Sequence, residues 1–308
     1  MKIALIVVGL IAALVAGPGR AAAQAGDVTV GLFAPTAPFE GSGDRVSFVN
    51  AVADHLAGAA GGAKVTGKVF SSAGAFAAAV KKGEIQFAIV DAPYAAANGL
   101  PYKILAAAVR GGGSSAPWQL IVKSSIGGIR DLRGAKVAVP STGSREQAFV
   151  TNALLGGEVD AGYFAAIIEA PDARSAVTMV SVGKADAAFV PAGVEPPSSA
   201  KRLLNVGNVG WPMFVALPSA DAARTAAFTA RIKTFAGSGA FTGFGGDPSS
   251  YRGLAGSFGK AVKKGPMALP APARLSVREL LEGRSFSIPL SDVLDLVEAP
   301  APAAPAGK

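Results

Sequence analysis

Three hydroxyl side chains, a glycine and a cation follow one another in Ser141-Thr142-Gly143-Ser144-Arg145. The apolar run Val137-Ala-Val-Pro140 precedes them and Glu146-Gln147 follows. The order reads as a buried strand, a tight turn and the first turn of a helix. Ser144 with Gln147 three residues later fits a capping box ahead of Ala148, Phe149, Val150 and Leu154. A helix start offers unpaired backbone N–H groups and the positive end of the helix dipole. With the hydroxyls and Arg145 added, the stretch suits a phosphate-like, sulfonate or carboxylate group. The plain alternative is an ordinary cap, since Ser and Thr are common capping residues.

Other chemistry is scarce. The chain has no Cys, which excludes disulfides, thiol catalysis and Cys-ligated metals. Its one His, His55, falls inside a helical pattern and reads as structural. No Gly-x-Ser-x-Gly elbow and no phosphate loop of the NTPase kind occurs. A Ser nucleophile would lack a positioned base. An enzyme is therefore the weaker reading, and neither a cofactor nor a metal site is expected. The formal charge of +8 favours anionic ligands or surfaces. No dense basic run with interleaved aromatics points to nucleic acid.

The elements that must position the turn begin after an export signal. Lys2, the apolar run Ile3 to Val15, the breakers Gly17-Pro18-Gly19 and the small-x-small site Ala23-Gln24-Ala25 make residues 1–25 a signal peptide. The run is shorter than the roughly 20 apolar residues of a membrane span. No Cys follows it, so a lipoprotein anchor is excluded. Lys2 and Arg20 leave with the signal and no acid does. The protein is expected in the periplasm.

Downstream, strands alternate with helices. Asp27 to Phe33, Lys64 to Phe70, Ile85 to Val90 and Ile104 to Arg110 read as strands. Helices are expected between them, with Asp91 as N-cap and Pro93 in the first turn of one. Trp118 to Lys123, Lys136 to Val139, Tyr163 to Glu169, Asp186 to Val190, Leu203 to Val206 and Trp211 to Leu217 are further extended segments. Asp172 caps a helix that ends at Gly183, and Asp221 starts one through Phe235. The pattern argues an α/β fold with mostly parallel sheets, in which ligands sit outside the carboxyl ends of the strands. Gly83-Glu-Ile-Gln-Phe-Ala-Ile-Val90 and Gly183-Lys-Ala-Asp-Ala-Ala-Phe-Val190 form a pseudo-repeat. Two similar lobes fit it. Gly237 to Ser257 has weak periodicity, Lys260 to Pro272 is basic and Pro-rich, and short helices are expected at Ser276 to Glu282 and Ser291 to Val297. The Ala/Pro tail, residues 299–308, reads as disordered.

Taken in order, these pieces resemble the PhnD-like phosphonate-binding branch of periplasmic solute-binding proteins, of type II architecture. The resemblance rests on Val30-Gly-Leu-Phe-Ala-Pro35, Lys82 to Tyr94, Gln119 to Lys123, Gly128 to Pro140, the Ser141-Thr-Gly-Ser144 turn, Ser175-Ala-Val and Val182 to Val190. It implies a monomeric receptor that closes two lobes over a small anion and delivers it to an ABC permease. Lobe one would be residues 26–117 and 218–298, and lobe two residues 124–210. Hinge crossings would lie at 118–123 and 211–217. The family's Ser-Thr-Ser-Gly turn binds the oxyanion, and here its last two residues are exchanged. Thr36 and Ser71 on strand-end loops, Tyr94, Ser141, Thr142, Gly143, Ser144 and Arg145 make up the candidate ligand set. Glu169 and Asp172 are the only second-lobe carboxylates near a strand end, so an aminoalkyl ligand is not expected. A ligand-sensing or accessory protein without an importer is the alternative.

Overall fold

Apolar residues at alternate positions build the first sheet. Val28, Val30 and Leu32 of β1 (Val28–Phe33) face one way, onto Phe48, Val49, Val52 and Leu56 of α1 (Ser42–Ala57). Phe33 faces the other way, onto Phe76 of α2 (Ala73–Lys81). Gly31 lies on that second face, where an added Cβ would stand 3.1 Å from Ile85 and 3.2 Å from Phe70. The absence of a side chain is what lets Ile85, Phe70 and the α2 residue Phe76 close down on the strand.

A computed structural model of the protein describes residues 26–99 and 102–262. The chain continues through β2 (Val65–Val69), β3 (Phe87–Val90), α3 (Ala92–Asn98), β4 (Lys103–Val109) and β5 (Ser115–Lys123). Then come β6 (Lys136–Pro140), α4 (Glu146–Ala148) running into a wide π-type turn over Phe149–Leu154, β7 (Ala166–Ala170) and α5 (Ala173–Ser181). The remaining elements are β8 (Ala187–Pro191), β9 (Ala200–Gly210), β10 (Met213–Ala216), α6 (Ala222–Ile232), β11 (Gly243–Gly246) and α7 (Ser249–Gly259).

These strands form two sheets. The first has the order β11-β4-β10-β3-β1-β2 and the second β7-β6-β8-β5-β9. β1 pairs in parallel with β2 and β3, and β6 with β7 and β8. In sheet one β10, between β3 and β4, and the edge strand β11, beside β4, run against their neighbours; in sheet two β5, between β8 and β9, does so. The chain passes from sheet one to sheet two between β4 and β5, and returns between β9 and β10. The passages are therefore residues 110–114 and Trp211-Pro212, shorter than the crossings anticipated at 118–123 and 211–217. β5 and β9 pair from Ser115–Gly210 to Lys123–Ala200.

The pseudo-repeat is structural. Gly83 at φ +70° and Gly183 at φ +74° each end a helix and lead into a buried strand, β3 and β8. At both sites the left-handed conformation calls for glycine. β11 and α7 arise where the periodicity was weak. Aromatic contacts settle them: Phe244 packs near Phe235 and Phe214, and Phe258 stacks on Phe149 at 5.9 Å.

Two kinds of contact close the lobes. One apolar cluster runs unbroken from Phe33, Phe76 and Tyr94 in lobe one to Trp118, Phe149 and Phe189 in lobe two. Leu254 and Phe258 of α7 belong to it, so this helix, in a stretch read as part of lobe one without regular structure, packs on α3 and also on β9 and the 149–154 turn. On the opposite face, around α1 and α5, the lobes meet through polar groups. The expected signal peptide, the residue 276–282 and 291–297 helices, the tail and the part of lobe one beyond residue 262 lie outside the described residues.

Candidate functional site

The carboxyl ends of both sheets point toward the junction of the lobes. Polar side chains are buried there that a core would normally exclude. They are Thr36 after β1, Asp91 after β3, Ser141 and Thr142 after β6, and Gln119 within β5. The site has two halves, one on each side of this row.

The first half is the hydroxyl-rich turn. Ser141 continues β6 by donating its N–H to Ala170 O at 2.9 Å. Gly143 and Ser144 then adopt φ +79° and +72°. Ser144 is the single non-glycine residue with positive φ among the described residues. The expected Ser144–Gln147 capping box does not form: α4 starts after Arg145 without a side-chain cap. Glu146 turns back instead. Its Oε1 accepts from Thr142 N at 2.8 Å, Thr142 Oγ1 at 3.2 Å and Ser144 N at 3.2 Å. The chain's own carboxylate thus occupies the donors that the sequence offered to an oxyanion.

The other side of the turn touches lobe one. Asn98 Nδ2 donates to Thr142 O at 3.0 Å and to its own helix at Tyr94 O. A Cβ on Gly143 would stand 2.8 Å from both Asn98 Nδ2 and the Tyr94 ring. This explains the exchanged order: position 143 admits no side chain when the lobes are together. Tyr94 is buried, with its ring edge-on to Phe33 at 4.8 Å. Burial also pushes its hydroxyl pKa above the usual tyrosine range. Two expected residues lie elsewhere. Arg145 Nη2 donates to Phe258 O of α7 at 3.1 Å, which ties down the last helix. Ser71 is exposed after β2, at the edge of sheet one.

The second half is a cavity of about 390 Å³ between α1 and α5. Lobe one lines it with Phe39, Glu40, Arg45 and Arg110, and lobe two with Asp172, Arg174 and Glu195. Arg45 Nη2 meets Asp172 Oδ2 at 3.0 Å across the junction, and Arg174 pairs with Glu40. Ala173 N donates to Pro35 O at 3.2 Å. Asp172 also caps α5, accepting from Ser175 N at 2.8 Å. Arg110 differs: its Nη1 is buried without a hydrogen-bond partner among the described residues.

Asp91 is the residue whose place the sequence misassigned. It stands at the N-cap position of α3, but its side chain makes no cap. Oδ2 accepts from Thr36 N at 2.5 Å, and Oδ1 has no partner among the described residues. Burial raises its pKa to about 7, against the opposing pull of the Thr36 hydrogen bonds and of Arg45. Asp91 and Arg110 share a legible signal, since each is the first charged residue after an apolar strand. Glu169, one of the two second-lobe acids considered, is exposed on β7. His55 is structural: Nε2 contacts Arg231 O at 2.9 Å and the ring packs on Phe235. Among the described residues no cluster of side chains could hold a metal.

Known proteins agree with this architecture. A family described as ABC transporter, phosphonate, periplasmic substrate-binding protein matches residues 36–206. A Xanthomonas citri protein solved bound to ATP superposes with a TM-score of 0.58 at 13% identity, covering 76% of this chain and 97% of its own. A binding-protein component of an ABC phosphonate transporter from Pseudomonas aeruginosa gives a TM-score of 0.57 at 11% identity, covering 73% and 82%. Among curated protein sequences none matches significantly. The two-lobed α/β fold is that of type II periplasmic binding proteins, and the chain belongs to the periplasmic substrate-binding proteins of phosphonate ABC transporters.

Proposed function

We propose that the chain captures a small oxyanion-bearing solute, phosphonate-like in its head group, in the cavity between α1 and α5. In this reading it acts outside the inner membrane as a monomer, released from its residue 1–25 leader. It then presents the solute to an ABC permease.

One observation carries the choice of an anion. Of the three arginines at the cavity, Arg45 and Arg174 are paired across the lobes, whereas Arg110 has a buried Nη1 without a partner. A buried guanidinium nitrogen left unpaired is costly, and an oxyanion is its natural complement. The Ser141–Ser144 turn enters as the second-lobe surface that seats Tyr94 and Asn98 on closure. Thr36 enters as the loop that clamps Asp91. Ser71 and Arg145 are assigned no contact with the solute. Closure draws on ligand contacts available only when the lobes meet.

Thermal-shift and calorimetric titration of the purified protein with phosphate, methylphosphonate, methanesulfonate and acetate test this. At least one should bind, and Arg110→Gln should weaken it at least ten-fold, the size expected of a charged hydrogen bond. Equal binding by the variant would remove Arg110 from the site.

A further inference from the structure

The α1–α5 cavity is larger than an oxyanion. Its volume of about 390 Å³ equals roughly thirteen water volumes of ~30 Å³ each, so it has room for about a dozen non-hydrogen atoms. A phosphonate, sulfonate or carboxylate head takes about four of them. Cavities of this size hold organic ligands rather than bare inorganic ions. The walls suit such a body. Ala37 and Phe39 of lobe one and Ala173 and Val177 of lobe two are buried in them, with Pro38 and Pro196 half-buried.

Charge in the cavity is nearly balanced. Its ionisable side chains are Glu40, Arg45, Arg110, Asp172, Arg174 and Glu195, three of each sign. Asp172 engages Arg45 and Glu40 engages Arg174 across the lobes. Arg45 is held on a second side as well, its guanidinium 5.7 Å from the centre of the Phe39 ring. Glu195 is exposed. Of the lining residues, Arg110 alone brings a buried donor without a partner among the described residues. Its backbone is fixed: Arg110 N donates to Gly113 O at 3.0 Å and Gly113 N to Arg110 O at 3.1 Å, around Gly111 and Gly112 at φ +57° and +81°. The guanidinium is thus carried on a tight hairpin. The other donor cluster at the junction, the N–H groups of Thr142 and Ser144, is filled by Glu146. One cation remains for one negative charge. A second charge on the solute would enter a partly buried site without a counterion, which is unfavourable.

We propose that the solute is a singly charged oxyanion borne on an uncharged organic body of about eight further atoms, and that doubly charged and inorganic anions are discriminated against. Organic sulfonates, carboxylates and phosphate or phosphonate esters with one charge left have this chemistry. The proposal rests on the capture of an oxyanion in this cavity and adds the solute's charge and size. Arg110 takes the head, and the body lies between the Pro38–Phe39 wall of lobe one and the α5 wall of lobe two.

Calorimetric titration with two matched pairs tests it. Methanesulfonate against benzenesulfonate varies size at one charge. Phenyl phosphate, a dianion above its second pKa of about 6, against methyl phenyl phosphate varies charge at similar size. Benzenesulfonate should bind about ten-fold or more tighter than methanesulfonate, as burial of the ring requires. Methyl phenyl phosphate should bind about ten-fold or more tighter than phenyl phosphate. Arg110→Gln should weaken both sulfonates alike, since they present the same head. Thr178→Phe, at an exposed lining position of α5, narrows the cavity and should bring benzenesulfonate down to the level of methanesulfonate, which binds as before. Three results overturn the inference and leave the capture of an oxyanion standing: equal binding of the two sulfonates, a preference for phenyl phosphate over its methyl ester, or a benzenesulfonate preference that survives Thr178→Phe in a variant with a normal melting transition. Failure of all four to bind, with phosphate, methylphosphonate and acetate also silent, overturns that capture as well.

Discussion

Glu146 Oε1 lies 2.8 Å from Thr142 N and closes the turn that ends β6. A carboxylate four residues along the chain thus takes the place of an external anion. Replacing it with alanine leaves the N–H groups of Thr142 and Ser144 without that acceptor. Glu146→Ala should lower stability by about 1–3 kcal/mol in urea denaturation, and Glu146→Gln, which retains a carbonyl oxygen, should cost less.

Gly143 and Ser144 share a left-handed backbone but face different neighbours. At 143 an added Cβ meets Asn98 and the Tyr94 ring at 2.8 Å. Gly143→Ala should therefore destabilise by about 1–3 kcal/mol and hold the lobes apart, seen as a larger radius of gyration in solution scattering. Ser144 at φ +72° carries strain that glycine relieves. Ser144→Gly should be neutral or stabilise by up to about 1 kcal/mol.

The two interlobe ion pairs should differ in worth. Arg45 and Asp172 are 13% and 30% exposed in their side chains, whereas Arg174 and Glu40 are 56% and 76% exposed. A double-mutant cycle on Arg45 and Asp172 should return a coupling of about 1 kcal/mol. The cycle on Arg174 and Glu40 should return about 0.5 kcal/mol or less, and less again in high salt. Asp172→Ala should cost roughly a further 1 kcal/mol through the lost cap of α5.

Asp91 makes stability depend on pH in a definite direction. Its folded pKa, about 7, lies above the ordinary carboxylate value of 3.8. Between those values the folded chain binds the proton more tightly than the unfolded chain. Its contribution is full below about pH 4 and is lost as pH rises through 7. Asp91→Asn should therefore raise the melting temperature at pH 8, by roughly 2–4 kcal/mol in stability terms, and the difference should shrink toward pH 4.

Periodicity located most of the fold because the core is built from strands that bury both faces. Phe87-Ala-Ile-Val90 and Ala187-Ala-Phe-Val-Pro191 are wholly buried, and Gly83 and Gly183 mark the turns before them. β11 and α7 were harder to read. Gly243-Phe-Gly-Gly246 has little side chain to show a period, and Phe258 is held by a partner far away in sequence, Phe149. At the site, the sequence offers the turn and Tyr94 as contacts for a ligand, and the structure brings them against each other across the lobes through Gly143 and Asn98. Asp91 and Glu146 were not, because a carboxylate beside a helix start suits a cap, a turn or a ligand equally. Only the positions of Thr36 N and Thr142 N separate these roles. Arg145 followed the same logic, since charge next to a turn says nothing of the Phe258 carbonyl that claims it.

The return passage from lobe two to lobe one is Trp211-Pro212, between the last residue of β9 and the first of β10. Proline fixes one of its few backbone torsions, and Pro212 O is pinned by Ala108 N at 2.8 Å. Trp211 itself packs edge-on to Phe241 at 5.5 Å, and its N–H donates to Ser114 O of the outward passage at 2.8 Å. The two runs of chain that join the sheets are thus laced to each other, so neither can swing without carrying the other along.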